Sequence, residues 1–149
     1  MTVEVIALDF FDGATEGFVR SLGDSGPCYF KLIAWDDTQD KRLFAAVAVT
    51  QDEYDELVSI LASSEPIPTS DVWVPRWEFE NNTAKNNADD FIDSIEDRLR
   101  SSGLLILGLG VTDSTAKIRE YDKVLGQQVG EHIGDNKPDN LCNWSKYFE

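Results

Sequence analysis

The stretch GLLILGLGVTDSTAKIREY, residues 103–121, carries two glycines at a spacing that suits phosphate binding. The stretch contains an apolar run, then a turn at Gly108 and Gly110, then apolar residues at the spacing of a helix. This order of elements brings a pyrophosphate to a helix N-terminus. The full fingerprint, G-x-G-x-x-G, needs a third glycine so that the helix can pack closely. Asp113 occupies that position, where its carboxylate would face the phosphate. We therefore expect Thr112 or Asp113 to cap a helix, and we expect no cofactor.

Two carboxylates follow the first apolar run of the chain, in VIALDFFDGAT at residues 5–15. This segment resembles the nucleophile motif of the haloacid-dehalogenase phosphatases, hhhhDxDGT. The resemblance implies that one of Asp9 and Asp12 attacks phosphorus, while the other acts as acid and base beside a magnesium ion. The two aspartates are three positions apart rather than two, so strand geometry directs their side chains to opposite faces. We favour a turn at Asp12-Gly13 and keep a magnesium-dependent phosphoryl-transfer enzyme as an alternative.

Thiol and imidazole chemistry has few candidates in this chain. It contains one histidine, His132, and two cysteines, Cys28 and Cys142. The cysteines form no CxxC pair, so the sequence predicts neither a zinc site nor a disulfide framework. His132 lies in a Gly-rich tail and is expected to be solvated rather than part of a Cys/His or Ser/His site.

Acidic and aromatic residues make up the remaining candidate site. The acids gather at a predicted hairpin tip and at the start of the following helix: Asp36, Asp37, Asp40, Asp52, Glu53, Asp55 and Glu56. Trp73, Trp77 and Phe79 alternate along a predicted strand at 72–80, which Pro75 restricts to a sheet edge. Buried, these aromatic side chains would be sheet core, which is the interpretation we favour. Exposed, they would form a hot spot, ringed by acids, for a cationic partner.

The elements that must position these residues follow from hydrophobic periodicity and turn residues. Strands are predicted at 3–8, 29–36, 42–50, 72–80 and 104–111, the second and third forming a hairpin. The segment between the first two strands is predicted to be an irregular, Gly-punctuated connection. The element order indicates one α+β domain over residues 1–149, with a mixed sheet of about five strands and about three helices. Residues 130–149 are predicted to be an irregular docked tail.

Three helices are predicted from capping residues and apolar spacing. Thr50 and Glu53 form a capping box before the first helix. The second helix covers 88–100 with Asn87 as its N-cap, and the third covers 113–128. The predicted core-facing residues of the three helices are, in turn, Tyr54, Leu57, Val58 and Leu61; Ala88, Phe91, Ile92, Ile95 and Leu99; and Ile118, Tyr121, Val124 and Leu125. Asp89 and Asp90 would then lie in the first turn of the second helix and Gly103 just after its end.

Charge limits the classes of partner. The 149 residues include 28 acids against 13 bases, giving a formal net charge of −15. Such a field repels phosphate backbones and anionic lipids, so we expect neither nucleic acid nor a membrane as partner. The N-terminus has no basic signal-peptide region and no apolar run approaches the ~20 residues of a membrane span, so a cytoplasmic location is expected.

These observations predict a non-enzymatic interaction protein that binds and occludes a basic protein. Immunity proteins and antitoxins are similar in composition, although no motif supports that likeness. The predicted binding residues are Asp36, Asp37, Asp40, Asp55, Glu56, Trp73 and Trp77. The alternatives are the phosphoryl-transfer enzyme built on Asp9 and Asp12, and a structural subunit that forms a homo-oligomer through the Pro75-bearing edge strand.

Overall fold

The computed structural model describes residues 5–10, 14–20, 26–36, 41–61, 82–108 and 116–133. These residues form β1 (Val5–Phe10), β2 (Ala14–Val19), β3 (Cys28–Asp36), β4 (Lys41–Ala48), α1 (Gln51–Leu61), α2 (Asn82–Ser101), β5 (Leu104–Gly108), β6 (Lys117–Glu120) and α3 (Lys123–Ile133). The strands form one antiparallel sheet in the order β1-β2-β3-β4-β5-β6. The predicted α+β class is confirmed, with six strands where about five were predicted. The strand predicted at 72–80 lies outside the described residues.

The internal contacts of the chain divide it into two compact units. The first unit comprises Met1–Tyr29 and Ala48–Ile95, and the second comprises Phe30–Val47 and Glu96–Glu149.

Aromatic side chains form the core of the first unit. The Phe18 ring of β2 lies 6.5 Å from the Phe91 ring of α2, nearly parallel to it, and 5.2 Å from the Tyr29 ring. Phe18 and Tyr29 are both fully buried. Ring pairs at these distances add attraction to the area that they bury, so Phe18 fixes α2 against the strands of this unit. The Tyr29 hydroxyl donates a hydrogen bond to the carboxylate of Glu16.

Strands β4 and β5 of the second unit are mostly buried. The Phe30 and Phe44 rings meet edge to face with their centroids 5.7 Å apart. Residues 105–108 of β5 are all buried, which is typical of a strand covered on both faces. Lys31 of β3 forms an ion pair with Glu96 of α2 at 3.4 Å, with both side chains mostly buried. This pair gives the helix a polar attachment to β3.

Strand β2 is the strand that the sequence analysis did not predict. A Cβ added at Gly17 would overlap the carbonyl oxygen of Ile6 in β1, so the two backbones approach too closely for any other residue. The register also shifts between Ala7 and Asp9 and again between Asp9 and Phe10, which marks an irregularity in β1. The glycine that suggested a connection is therefore the residue that permits the strand pairing.

Helix α1 begins as predicted. The Thr50 amide donates to Oε1 of Glu53 at 2.9 Å, and the Glu53 amide donates to Oγ1 of Thr50 at 3.1 Å, which is the complete capping box. The predicted core residues Tyr54, Leu57 and Leu61 are buried. The prediction for Val58 is wrong, because its side chain is 42% exposed.

Helix α2 begins at Asn82, so the prediction of Asn87 as its N-cap is wrong. The predicted loop over 81–87 is helical from residue 82, despite the low helix propensity of asparagine. The apolar face is confirmed for Ala88, Ile92, Ile95 and Leu99, which are buried, while Phe91 is half-buried. The helix ends at Ser101, and Gly103 follows the end as predicted.

The predicted helix over 113–128 is wrong. Lys117–Glu120 is the strand β6, and α3 begins only at Lys123. Asp122 caps α3, because its Oδ1 accepts a hydrogen bond from the Leu125 amide at 2.8 Å. Helix α3 continues through residues 130–133, which the sequence analysis places in the irregular tail; residues 134–149 lie outside the described part.

Candidate interaction surface

Two of the predicted binding residues lie on a described surface. Asp55 and Glu56 are exposed in the second turn of α1. The backbone of Asp36 is the last residue of β3, but its side chain lies outside the described part of the structure. The other four predicted binding residues also lie outside it: Asp37, Asp40, Trp73 and Trp77. Among the predicted binding residues, only Asp55 and Glu56 therefore have described side chains.

Helix α1 exposes Asp52, Asp55 and Glu56 and buries Tyr54, Leu57 and Leu61. Asp52 and Glu53 occupy the first turn, where a negative charge interacts favourably with the helix dipole. Asp55 lies just beyond the first turn, and its Oδ1 accepts a hydrogen bond from Nε2 of Gln51 at 3.0 Å. The exposed Val58 follows it by one turn, so an apolar side chain lies on the same helix as these acids.

Helix α2 also carries exposed acids, two of which the sequence analysis assigned to the first turn of the helix. Asp89, Asp90 and Asp93 are exposed. Because α2 begins at Asn82, its first turn contains no acid, and Asp89 and Asp90 are about two turns inside the helix. The favourable effect of the dipole is confined to the first turn, so it does not account for these residues. The sequence analysis placed Asp89 and Asp90 in the first turn because it misplaced the start of the helix, and it made no prediction for Asp93.

The α2 acids also differ from other exposed acids in their pairing. Asp97 forms an ion pair with Arg100, and Asp122 forms one with Arg119, each at 2.6 Å. Among the described side chains, no ion pair involves Asp89, Asp90 or Asp93. Residues three and four apart on a helix are neighbours, so Asp93 is close to both of the other aspartates. We call these three residues together with Asp55 and Glu56 the helix acids; all five belong to the first unit.

After Gly108, the next element that the structure describes is a strand. Strand β5 ends at Gly108, whose Cα partner in β4 is Arg42, and the next described element is the antiparallel strand β6. A pyrophosphate site of the type considered above needs a helix N-terminus directly after the turn. The helix predicted over 113–128 is therefore wrong where the structure describes it, because Lys117–Glu120 is a strand. Gly110, Thr112 and Asp113 lie outside the described residues.

The aspartate pair remains a prediction. The backbone of Asp9 lies in β1 opposite Glu16, whose carboxylate already accepts the hydrogen bond from Tyr29. The side chain of Asp9 and the whole of Asp12 lie outside the described part. Within the described residues, no group of three or more histidine, cysteine, aspartate or glutamate side chains is arranged to hold a metal ion.

The thiol of Cys28 lies in an environment that lowers its reactivity. The residue is fully buried, and its Sγ lies 3.7 Å from the Gly26 carbonyl oxygen. Burial raises the pKa of the Cys28 thiol to about 11, so the reactive thiolate is rare at neutral pH. His132, predicted to be in the irregular tail, lies in the last turn of α3; its side chain and Cys142 lie outside the described part.

Comparison of this chain with protein-family models, with curated proteins and with solved structures found no match. None of the helices in the described ranges combines the length and the apolar composition that a bilayer crossing requires.

Proposed function

We propose that this chain is a non-enzymatic interaction protein that binds a basic protein surface through the helix acids. The observation that carries the proposal is the position of Asp89, Asp90 and Asp93 in α2. They are exposed, lie beyond the first turn, and are close enough to repel one another. An arrangement that costs helix stability in the free protein becomes favourable when a cationic surface neutralises it.

The proposed mechanism is electrostatic steering followed by occlusion of the partner. With a net charge of −15, the chain attracts a basic protein over a distance set by the ionic strength. Asp55 and Glu56 add two exposed acids on α1, which belongs to the same unit. The contribution of Trp73 and Trp77 as aromatic anchors stays part of the proposal, as does the resemblance in composition to immunity proteins and antitoxins.

The experiment compares two charge-matched variants in affinity capture from the lysate of the native host. Asp89→Asn/Asp93→Asn removes two of the helix acids, whereas Glu120→Gln/Glu131→Gln removes two exposed acids elsewhere. Both variants change the net charge equally. We expect the wild type and the control to retain the same basic protein at low salt and to release it at about 0.5 M salt, where charges are strongly screened.

The expected result for Asp89→Asn/Asp93→Asn is loss of most of that capture. Equal capture by both variants would mean that only the overall charge attracts basic proteins, and the proposed surface would be wrong. A captured protein that resists salt elution would also contradict the steering mechanism, because its binding would not depend on exposed charge.

A further inference from the structure

Among the strands that the structure describes, β6 is the last of the sheet, and it is exposed along its whole length. It is the last strand in the order, and each of its four residues is exposed. Ile118 is 53% exposed although its cross-strand neighbour in β5, Ile106, is fully buried. An edge of this kind offers backbone hydrogen-bonding groups to an incoming strand.

The register identifies which backbone groups face outward. The Tyr121 amide donates to the Gly103 carbonyl at 3.0 Å, and these two residues are opposite one another when the β5–β6 register is continued by one position. Hydrogen-bonded pairs alternate along an antiparallel ladder, so Arg119 and Lys117 also direct their amides and carbonyls toward β5. The amides and carbonyls of Ile118 and Glu120 therefore point away from the sheet.

A second copy of the chain fits this edge poorly. An antiparallel pairing of two β6 strands must place outward-facing residues opposite one another, which leaves three registers. Ile118 opposite Ile118 places Lys117 opposite Arg119 of the other copy. Ile118 opposite Glu120 places the two Arg119 residues together, and the third register places the two Glu120 residues together. Each register puts like charges opposite one another, which is destabilising.

We propose that the β6 edge binds an extended segment of a different protein, as an added antiparallel strand with acidic residues opposite Lys117 and Arg119. Directly opposite residues in an antiparallel pair share a face of the sheet, so their side chains are in contact. A β-branched residue suits the position opposite Ile118, and a basic residue suits the position opposite Glu120. Read from its N-terminus, the added strand is therefore basic, acidic, β-branched, acidic.

This edge is independent of the helix acids, and its partner has the opposite local charge. Lys117 is exposed and, among the described side chains, forms no ion pair. Arg119 already pairs with the exposed Asp122, but a guanidinium has five donors and can bind a second carboxylate. At physiological salt, screening limits the effect of distant acids, so the adjacent bases determine which strand pairs best.

The test uses two capped peptides and the isotope-labelled full chain. The first peptide, Thr-Lys-Glu-Val-Glu-Thr, carries the proposed pattern, and the second, Thr-Glu-Lys-Val-Lys-Thr, reverses its charges. We expect the first peptide to bind about tenfold more tightly, as three favourable cross-strand pairs replace three unfavourable ones. We also expect amide shifts confined to residues 116–121, with slower exchange at the Ile118 and Glu120 amides.

Two proline variants test which backbone amides of β6 point away from the sheet. Ile118→Pro removes an outward-facing amide and is expected to fold normally but to lose peptide binding. Arg119→Pro removes an amide that β5 uses and is expected to destabilise the protein, so the pair separates edge pairing from folding. Lys117→Glu is expected to weaken binding of the first peptide without affecting the fold.

Tighter binding of the charge-reversed peptide would overturn the proposal, because it would show that the net charge of the chain controls binding. No binding by either peptide at millimolar concentration would overturn it as well. A dimer that Ile118→Pro abolishes would show that a second copy occupies this edge.

Discussion

Thr50 and Glu53 satisfy each other's backbone amides at the start of α1, at 2.9 and 3.1 Å. These two amides would otherwise lack partners within the helix, because the first four N–H groups of an α-helix have none. Thr50→Ala removes one of the two bonds. We expect it to lower the free energy of unfolding by about 1 kcal/mol, measured by urea denaturation.

Thr50→Ser is the matched control for this cap, since serine retains the hydroxyl acceptor. It is expected to stay close to the wild-type stability. If Thr50→Ala and Thr50→Ser lose stability equally, the loss comes from the threonine methyl group and not from the hydrogen bond.

The sequence predicts elements whose start or face is set by local chemistry. The capping box locates α1, and the buried face of α2 follows from its apolar spacing. The failure at 113–128 has a physical cause, because Ile118 and Leu125 are seven positions apart and fit one face of a helix. Ile118 instead pairs with Ile106 in the sheet, a long-range interaction that periodicity within one segment does not report.

Gly17 is expected to be intolerant of any side chain. Gly17→Ala places a Cβ against the Ile6 carbonyl oxygen, so β1 and β2 must separate, and we expect a loss of more than about 2 kcal/mol. Gly126 in α3 is the control, since a Cβ there lies 3.5 Å from the Ser101 carbonyl oxygen, an ordinary contact. Gly126→Ala is expected to gain about 0.5–1 kcal/mol from helix propensity. Urea denaturation measures both, and equal effects would contradict the close approach at Gly17.

The buried Cys28 thiol is expected to react slowly with alkylating reagents. A Cys142→Ser variant leaves Cys28 as the only cysteine, so its modification can be followed by mass spectrometry. Because burial raises its pKa from 9.0 to about 11, we expect little labelling of the folded protein at neutral pH and rapid labelling in urea. Since the folded state holds this proton more tightly, its contribution to stability is lost as the pH rises from about 9 toward about 11. Equal labelling rates in the folded and unfolded states would place Cys28 at the surface.

Asp122 is expected to link the stability of α3 to acid pH. The hydrogen bond from the Leu125 amide, with the Arg119 guanidinium beside it, lowers the pKa of Asp122 below its ordinary value of 3.8. Its stabilising contribution is therefore present above that value and is lost as the pH falls through the lower pKa of the folded state. Asp122→Asn keeps a capping side chain without the charge. The difference in urea midpoint between wild type and Asp122→Asn should shrink from about pH 7 to about pH 2; a constant difference would contradict this assignment.

The candidate site was only partly predictable from the sequence. The capping box made it possible to predict the helix that carries Asp55 and Glu56. Both side chains are exposed, as an acidic binding surface requires. The prediction of Asn87 as the N-cap places Asp89 and Asp90 in the first turn, where the helix dipole would explain them. Helix α2 begins at Asn82 although asparagine has a low helix propensity. The propensities of single residues therefore predict the wrong start for this helix.

The acids of α2 should show a trade-off between stability and binding. Asp93 lies four positions after Asp89 and three after Asp90, and like charges at these spacings cost about 0.2–0.5 kcal/mol per pair. Asp93→Asn removes both repulsions and is expected to raise the free energy of unfolding by about 0.5 kcal/mol in urea at low salt. Because salt screens the repulsion, the gain should become smaller as the ionic strength rises.

The same substitution is expected to weaken binding to a basic partner, measured as a slower association rate at low salt. Glu131→Gln serves as the control, since Glu131 is an exposed acid on α3. A gain in stability together with a loss of association would mean that α2 retains a destabilising charge because the charge is used in binding. A gain in stability with unchanged association would make these aspartates a solvated face with no role in recognition.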